Sequence, residues 1–259
     1  MSMNNEIKQQ DIIADLHTHT TFSLHAYSSI KENIECAKKA GLKYIAITDH
    51  FYNDGTILDK KNETNRIKYL EERVDTLESG ITVIGGAEFN LNQPIEYWDK
   101  LKTIRWRPIG LHNWFIETND ITLDDLYQLF MKSIDKHNAF VHIEREIHKI
   151  NNKKHKENLD AEVKIFFQKM INLAKENDIL LEVNESSLIT NECGGAERLK
   201  YWLTLAKENG NLIYLGTDAH YCEEVGKFDN EIKLINSIKF PKERIINCNE
   251  ELLRKKLEY

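Results

Sequence analysis

Seven short apolar runs punctuate the chain: IIADLHTH (12–19), KYIAITDH (43–50), ITVIGGAEF (81–89), RPIGLHNWF (107–115), AFVHI (139–143), ILLEVN (179–184) and NLIYLGTDAH (211–220). They are of strand length and nearly continuous in apolar character, which suits strands buried on both faces of a parallel sheet. Parallel neighbours need crossover connections, and helical signals fill the gaps. Ser29 and Glu32 make a capping-box pattern, Ile30, Ile34 and Ala37 follow at helical spacing, and Gly41 closes the segment. Thr122 opens a second helix carrying Leu126, Leu129, Phe130 and Ile134. Leu159, Val163, Phe166, Met170 and Ala174 mark a third, and Leu199, Leu203 and Ala206 a fourth that ends at Gly210. Residues 63–79 read as a more polar, exposed helix. After Asn230 the pattern predicts an amphipathic helix, a strand-like RIINC (244–248) and a final polar helix.

This β/α alternation means an open doubly wound sheet or a barrel. Neither GxGxxG nor GxxxxGK[ST] occurs, and the glycine pairs Gly85-Gly86 and Gly194-Gly195 are too isolated to cradle a phosphate. Nucleotide-binding folds therefore lose support. With 259 residues, three prolines and no Ser/Gly/Pro-rich linker, the chain reads as a single domain over 1–259. Its motif-bearing core is 13–222 and its C-terminal extension 230–259.

Almost every run ends in a side chain able to bind metal. The first ends in His17-Thr18-His19, the second in Asp49-His50, the third in Glu88 and the fourth near His112. The fifth ends at His142, the sixth at Glu182 or Asn184, and the seventh in Asp218-Ala219-His220. In a β/α barrel all strand C-termini converge on one face, so residues distant in sequence become neighbours. HxH on a strand puts both imidazoles on one face, about 6.6 Å apart, where two ring nitrogens can meet on one ion. A lone histidine at such a place is more often structural. His137, at a helix end, and His148 and His155, in the polar stretch REIHKINNKKHKEN, take that reading. Matching placement at so many strand ends reads as a metal centre. Imidazoles with a few carboxylates and no thiolate suit Zn, Mn or Fe rather than Mg or Ca. Seven histidines and two acids exceed one tetrahedral shell, so two or three divalent ions are expected.

Charge and composition narrow the function classes. A net charge of −7, from 35 basic and 42 acidic residues, argues against a long nucleic acid as partner. No apolar stretch reaches the roughly 18 residues needed to span a bilayer. The N-terminal MSMNNEIKQQDIIADL lacks the pattern of a secretory signal. Four scattered cysteines (Cys36, Cys193, Cys222, Cys248) suggest reduced thiols and a cytoplasmic protein.

DLHTHT (15–20), AITDH (46–50), GAEFN (86–90), two mid-chain histidines and GTDAH (216–220) resemble the motifs of the polymerase-and-histidinol-phosphatase (PHP) family of metal-dependent phosphoesterases. HAYSS (25–29) and LLEVNESSL (180–188) resemble its small stand-alone phosphatases of the YcdX type. The resemblance covers residues 13–222 and implies an α/β fold, a distorted seven-stranded (β/α)7 TIM-like barrel. It implies a first metal held by His17, His19 and Asp218, with Glu88 bridging to a second held by His112 and His142. His25, His50 and His220 would hold a third. Relatives carry a proline just after the position of His142, where this chain reads VHIERE and offers Arg145.

The expected function is hydrolysis of a small phosphate monoester by a metal-bridging hydroxide attacking phosphorus in line. Glu88, Asp218 and Arg145 form the catalytic set, Arg145 because its planar fork suits a phosphate. Its alternative is a surface ion pair with Glu144 or Glu146. Asp15 either orients a ligand imidazole or makes a buried structural hydrogen bond. Asn184 and Glu185 either line the pocket or cap a helix. Rival readings are a histidinol-phosphate phosphatase, a nucleotide or nucleic-acid phosphodiesterase, an amidohydrolase-type hydrolase and a non-catalytic metal-binding module. The amidohydrolase reading suffers because no run ends in a metal-bridging lysine.

Overall fold

The fold is that of a computed structural model, which describes residues 6–51, 80–91, 104–111, 121–147, 150, 159–190 and 195–258. The polar segment 63–79, His112, His148, His155 and Cys193 lie outside the described residues. All seven apolar runs contribute strands: β1 (Ala14–Asp15), β2 (Tyr44–Ile47), β3 (Thr82–Gly85), β4 (Phe89–Asn90), β5 (Pro108–Gly110), β6 (Ala139–Phe140), β7 (Leu180–Asn184) and β8 (Ile213–Gly216). Every ladder is parallel, as the continuous apolar runs require, and the order is β1-β2-β3 in one sheet and β4-β5-β6-β7-β8 in another.

One closed seven-stranded barrel is thus not what the ladders form; among the described residues there are eight strands in two sheets. The difference arises inside the run 81–89. Gly86 bridges Trp106 and Ala87 N donates to Trp106 O (3.2 Å), whereas Glu88 bridges back to His50. Gly86 N also donates to Ile47 O (3.0 Å) and Glu88 N to Thr48 O (3.3 Å), so the stretch has a neighbour on each side, joined there by single bridges and not by a regular ladder. Across the other gap, Leu16 N donates to Leu215 O (3.3 Å), a hydrogen bond between the β1 and β8 segments without a ladder.

Alternate residues sort to two cores. Tyr44, Ala46, Ile84, Ala139, Leu180 and Tyr214 join Trp106 in one cluster, while their neighbours Ile45, Ile47, Val83, Phe140, Leu181, Ile213 and Leu215 pack in a second, larger cluster with the helices. Strands with an apolar partner on both faces account for the runs' lack of polar alternation. His50, Glu88, Glu182, Asp218 and His220 carry the parity of the smaller cluster further along the same runs.

The helices begin and end where their capping residues stand. Ser29 and Glu32 cap α1 (Ile30–Lys39) reciprocally, and Gly41 follows it at φ 78°, a conformation that favours glycine. Thr122 and Asp125 cap α2 (Leu123–Ser133) in the same way. A short α3 (Ile143–Glu146) follows β6; then come α4 (Ala161–Glu176), α5 (Glu185–Thr190) and α6 (Gly195–Asn209). The tail forms α7 (Asp229–Ile238) and α8 (Glu250–Leu257), as the pattern predicts, but RIINC is not a strand. It coils into 3-10 turns with one bridge, Ile245 to Ile213, because a side chain makes the bonds a ladder would make. Asn247 Nδ2 donates to Ala14 O and Leu215 O (both 2.9 Å), and its Oδ1 accepts from Leu215 N (2.7 Å). Among the described residues no helix is long and apolar enough to cross a membrane.

Asp15 takes the structural alternative. Its carboxylate accepts from Thr217 Oγ1 (2.6 Å), Thr217 N (3.1 Å) and Gly226 N (2.9 Å), tying β1 to the segments after β8. Burial pushes this carboxyl up to about 6 against those donors.

Candidate metal centre

An imidazole offers a metal only the nitrogen that carries no proton, so whatever holds one ring nitrogen decides what the other can do. His17 Nδ1 donates to Glu182 Oε1 (2.5 Å). Ser23 Oγ gives its one proton to Asp49 Oδ1 (2.6 Å) and therefore accepts from His19 Nδ1 (3.0 Å). His220 Nδ1 donates to the carbonyl of Asp218 (2.8 Å). In each ring Nε2 is left as the nitrogen able to meet a metal. The fold leaves room for this only at a glycine: a Cβ on Gly216 would overlap His17 Cβ and lie 2.9 Å from Glu182 Oε1.

Glu88, at the break between β3 and β4, sits among four rings. Its Oε1 is 2.9 Å from His142 Nε2; its Oε2 is 2.9 Å from His50 Nδ1, 3.4 Å from His19 Nε2 and 3.5 Å from His17 Nε2. Asp218 Oδ1 lies 3.1 Å from His19 Nε2 and 3.5 Å from His17 Nε2. Its Oδ2 accepts from Asn184 Nδ2 (3.4 Å) and is 3.8 Å from Arg145 Nη1. His25, on the exposed side, has its Nε2 3.3 Å from His50 Nε2, and its ring centroid is 4.7 Å from that of His220. His142 and Asp218 both hold left-handed backbone, at φ 26° and 56°, which costs about 1–3 kcal/mol per residue and persists only where surroundings impose it.

Charge is balanced pairwise. Burial opposes a charge on the His17 ring, but Glu182, Asp218 and Glu88 outweigh it and hold that ring well above its ordinary value. Burial also opposes a charge on Asp218, yet His17, His19 and Arg145 hold it well below the usual carboxylate range. His19 and His25 are depressed, chiefly by burial. With His17 and His19 Nε2 only 2.9 Å apart, a proton on the first is shared with the second.

The donor set fits a divalent cation. Ligand atoms about 2.0–2.1 Å from a tetrahedral zinc stand about 3.3 Å apart. The three separations within His17, His19 and Asp218 are 2.9, 3.1 and 3.5 Å. A second set, His19, His50 and His220, also has its donor atoms within 4.8 Å of one another. Eight of the nine candidate ligands thus come together, and His112 lies outside the described residues. The grouping differs from the expected one in that His19, not His25, completes the close set with His50 and His220. His137 stands apart, its Nδ1 at the Arg107 carbonyl (3.2 Å) and its pKa pushed down by burial to about 3.

Residues 15–186 match the PHP domain. The chain belongs to the PHP domain family. A protein named probable phosphatase from Clostridium novyi is 28% identical, over 93% of this chain and 92% of its own. The probable phosphatase YcdX of Escherichia fergusonii is 27% identical, over 91% and 89%. Among solved structures, the histidinol phosphate phosphatase of Lactococcus lactis, complexed with zinc, L-histidinol and phosphate, superposes with a TM-score of 0.61. That match is 17% identical and covers 88% of this chain and 94% of the other, a likeness of fold.

Within this PHP domain the ligand-type residues were readable from sequence, but their supports were not. Glu182 and Asp49 stand at run ends like ligands, yet Glu182 holds His17 and, through Oε2, His142 N (2.9 Å), while Asp49 holds the Thr20–Ser23 turn. Asn184 serves both readings offered for it, accepting from Ser187 N (2.8 Å) and donating toward Asp218. Glu185 is a cap, accepting from Asn230 N and Glu231 N at the start of α7.

Two outcomes follow for the PHP domain. Glu182→Ala should weaken zinc binding about 10–100-fold in competition with a chromophoric chelator, and unchanged affinity would contradict the role given to Glu182. Without metal, the raised His17 contributes stability in full below its ordinary value of 6.5 and loses it as pH rises through the folded value. Melting temperatures of metal-free protein should therefore fall as pH rises above 6.5, and added zinc should flatten that slope; parallel slopes with and without zinc would refute it.

Proposed function

We propose that this protein is a metal-dependent phosphatase that hydrolyses a small phosphate monoester. The observation that carries the reading is Glu88, whose carboxylate lies within 3.5 Å of four imidazoles, with Asp218 and Arg145 beside it. Such a cluster gathers several cations around one anionic hub and leaves an arginine at its edge. The phosphatase names of the curated relatives support the same activity.

His17, His19 and Asp218 would hold one ion and His50 and His220, with His25 at the open side, another; Glu88 would bridge toward His142, with His112 as that ion's further ligand. We read three ions, zinc first, with manganese or iron as alternatives of similar ligand preference. Bound there, the ions supply a water of lowered pKa and positive charge for the phosphoryl oxygens. The chain's own part is positional. Glu182 and Ser23 fix two tautomers, Asn184 steadies Asp218, and Arg145 is placed to clamp a phosphate oxygen through its planar fork. We further read the two sheets as one distorted seven-run ring within a single PHP domain over 1–259, working in the cytoplasm as a soluble enzyme. The hydrogen bonds at Trp106 and Leu16 that span the two gaps support the ring.

The test is hydrolysis of a phosphate-ester panel, including histidinol phosphate and nucleotides, with metal content measured in parallel. Chelation should abolish turnover, zinc or manganese should restore it, and Asp218→Asn should lower kcat about 10²–10³-fold. His25→Ala should hold one ion fewer than wild type. A fully metallated protein that cleaves no ester would overturn the function, and unchanged metal content in His25→Ala would remove the third ion.

A further inference from the structure

We propose that Cys36 and Cys222 are a redox site, a dithiol that a low-molecular-weight disulfide closes to an internal disulfide, pinning the segment of His220 to α1. The dithiol stands on its own geometry; the effect of pinning rests on His220 being a metal ligand. The cysteines are scattered in sequence, and neither of these two belongs to the metal centre. The fold brings them together: the Cys36 thiol, on α1, is hydrogen-bonded to that of Cys222, in the 3-10 turn Cys222–Glu224 just after His220. Both are half-buried.

Close packing holds the two elements at this approach. A Cβ on Gly226 would stand 2.7 Å from Ala40 Cβ and 3.3 Å from Leu42 Cδ1, so the chain after Cys222 runs against the end of α1 as only glycine permits. Val225 N donates to Cys222 O (3.2 Å) and Gly226 N to Asp15 Oδ2 (2.9 Å), which fix that chain. Sulfurs already facing one another can bond without a rearrangement of the backbone.

The pair is also open to a reagent. A cavity of about 450 Å³ has both cysteines in its wall, with Lys39, Lys227, Glu223 and Asp229 around them. Cations and anions side by side suit a disulfide that itself carries both carboxylates and ammonium groups, as glutathione disulfide does. Burial, and next the hydrogen bond to Cys222, push the Cys36 thiol up to about 11, so attack falls first to Cys222. Its sulfur bonds to one sulfur of the reagent, and the first glutathione leaves. The Cys36 sulfur then attacks the Cys222 sulfur of the mixed disulfide, and the second glutathione leaves. The two cysteine protons end on the two glutathione thiols, and two electrons pass from protein to reagent.

Closure reaches the metal centre through the main chain. Tyr27 N donates to His220 O (2.8 Å) and Cys222 N to Ser28 Oγ (2.8 Å), tying the His220 segment to the stretch between His25 and α1. His220 N donates to Glu224 Oε2 (3.0 Å) within the same turn. A covalent bond from Cys222 to α1 adds a tie that water does not compete with. A ligand segment held in its binding geometry releases its ion more slowly.

Zinc-loaded protein incubated with glutathione disulfide tests both parts. Wild type should lose two of its four thiols and retain no glutathione, with the Cys36 and Cys222 peptides joined in the mass spectrum. Cys36→Ser should lose one thiol and retain glutathione on Cys222, and Cys222→Ser should lose none. A wild type that keeps all its thiols, or that retains glutathione on Cys222 unresolved, would overturn the site. Zinc transfer to a chromophoric chelator should be about three- to tenfold slower from oxidised than from reduced wild type, with no slowing in either serine variant. Equal or faster transfer from protein whose disulfide is mapped would overturn the pinning of His220. If the disulfide forms in a chain that takes up no zinc, the dithiol stands and the metal-centre reading falls.

Discussion

A carboxylate taken out of water must be surrounded by positive charge or by donors, and Glu88 is almost wholly buried. Its two oxygens are shared among His17, His19, His50 and His142, which arrive from three separate runs of the sequence. Much of the architecture at this end of the strands serves that convergence. At Gly86–Glu88 the chain lies between the segment of His50 and that of Trp106, joined to each by single bridges, and the carboxylate stands there. His142 and Asp218 accept left-handed backbone to reach the same place. Gly216 gives up its side chain so that the His17–Glu182 pair can lie across β8.

Around that hub the centre is graded. His17, His19 and His142 are buried with their supporting carboxylates, whereas His50 and His220 are half-buried and His25 is exposed. The His17 and His19 rings have their tautomers fixed by Glu182 and by the Asp49–Ser23 relay. Arg145 lies at the boundary, near Asp218, where an anion entering from the open side would meet it before reaching the buried ligands. Buried positive and negative groups that neutralise one another, with an arginine at the edge, form an environment suited to an anion.

Much of this was legible in the sequence because parallel strands leave a plain trace. Runs apolar on both faces located all the strands, and the ligand-type residues ending them pointed to one converging set. Ser29 with Glu32, and Thr122, marked two helix starts because a cap is a local bond. What was not legible depends on contacts between distant segments. The bridge of Gly86 to Trp106 joins residues twenty apart in the sequence. RIINC has strand composition, yet Asn247 makes its bonds with a side chain. Whether Glu182 ligates or positions, and whether His19 or His25 sits closer to His50 and His220, turns on fractions of an ångström that spacing along a strand does not encode.

The central claim is that these imidazoles and carboxylates are ligands, not a buried network of hydrogen bonds. Anomalous scattering at the zinc edge, from a crystal grown with zinc and soaked with phosphate, tests this most directly. The account predicts a strong peak equidistant from His17 Nε2, His19 Nε2 and Asp218 Oδ1, with further peaks at Glu88 and His50 and the phosphate turned toward Arg145. A crystal whose zinc peaks lie elsewhere, with the His17 and His19 rings still hydrogen-bonded to each other, would contradict it.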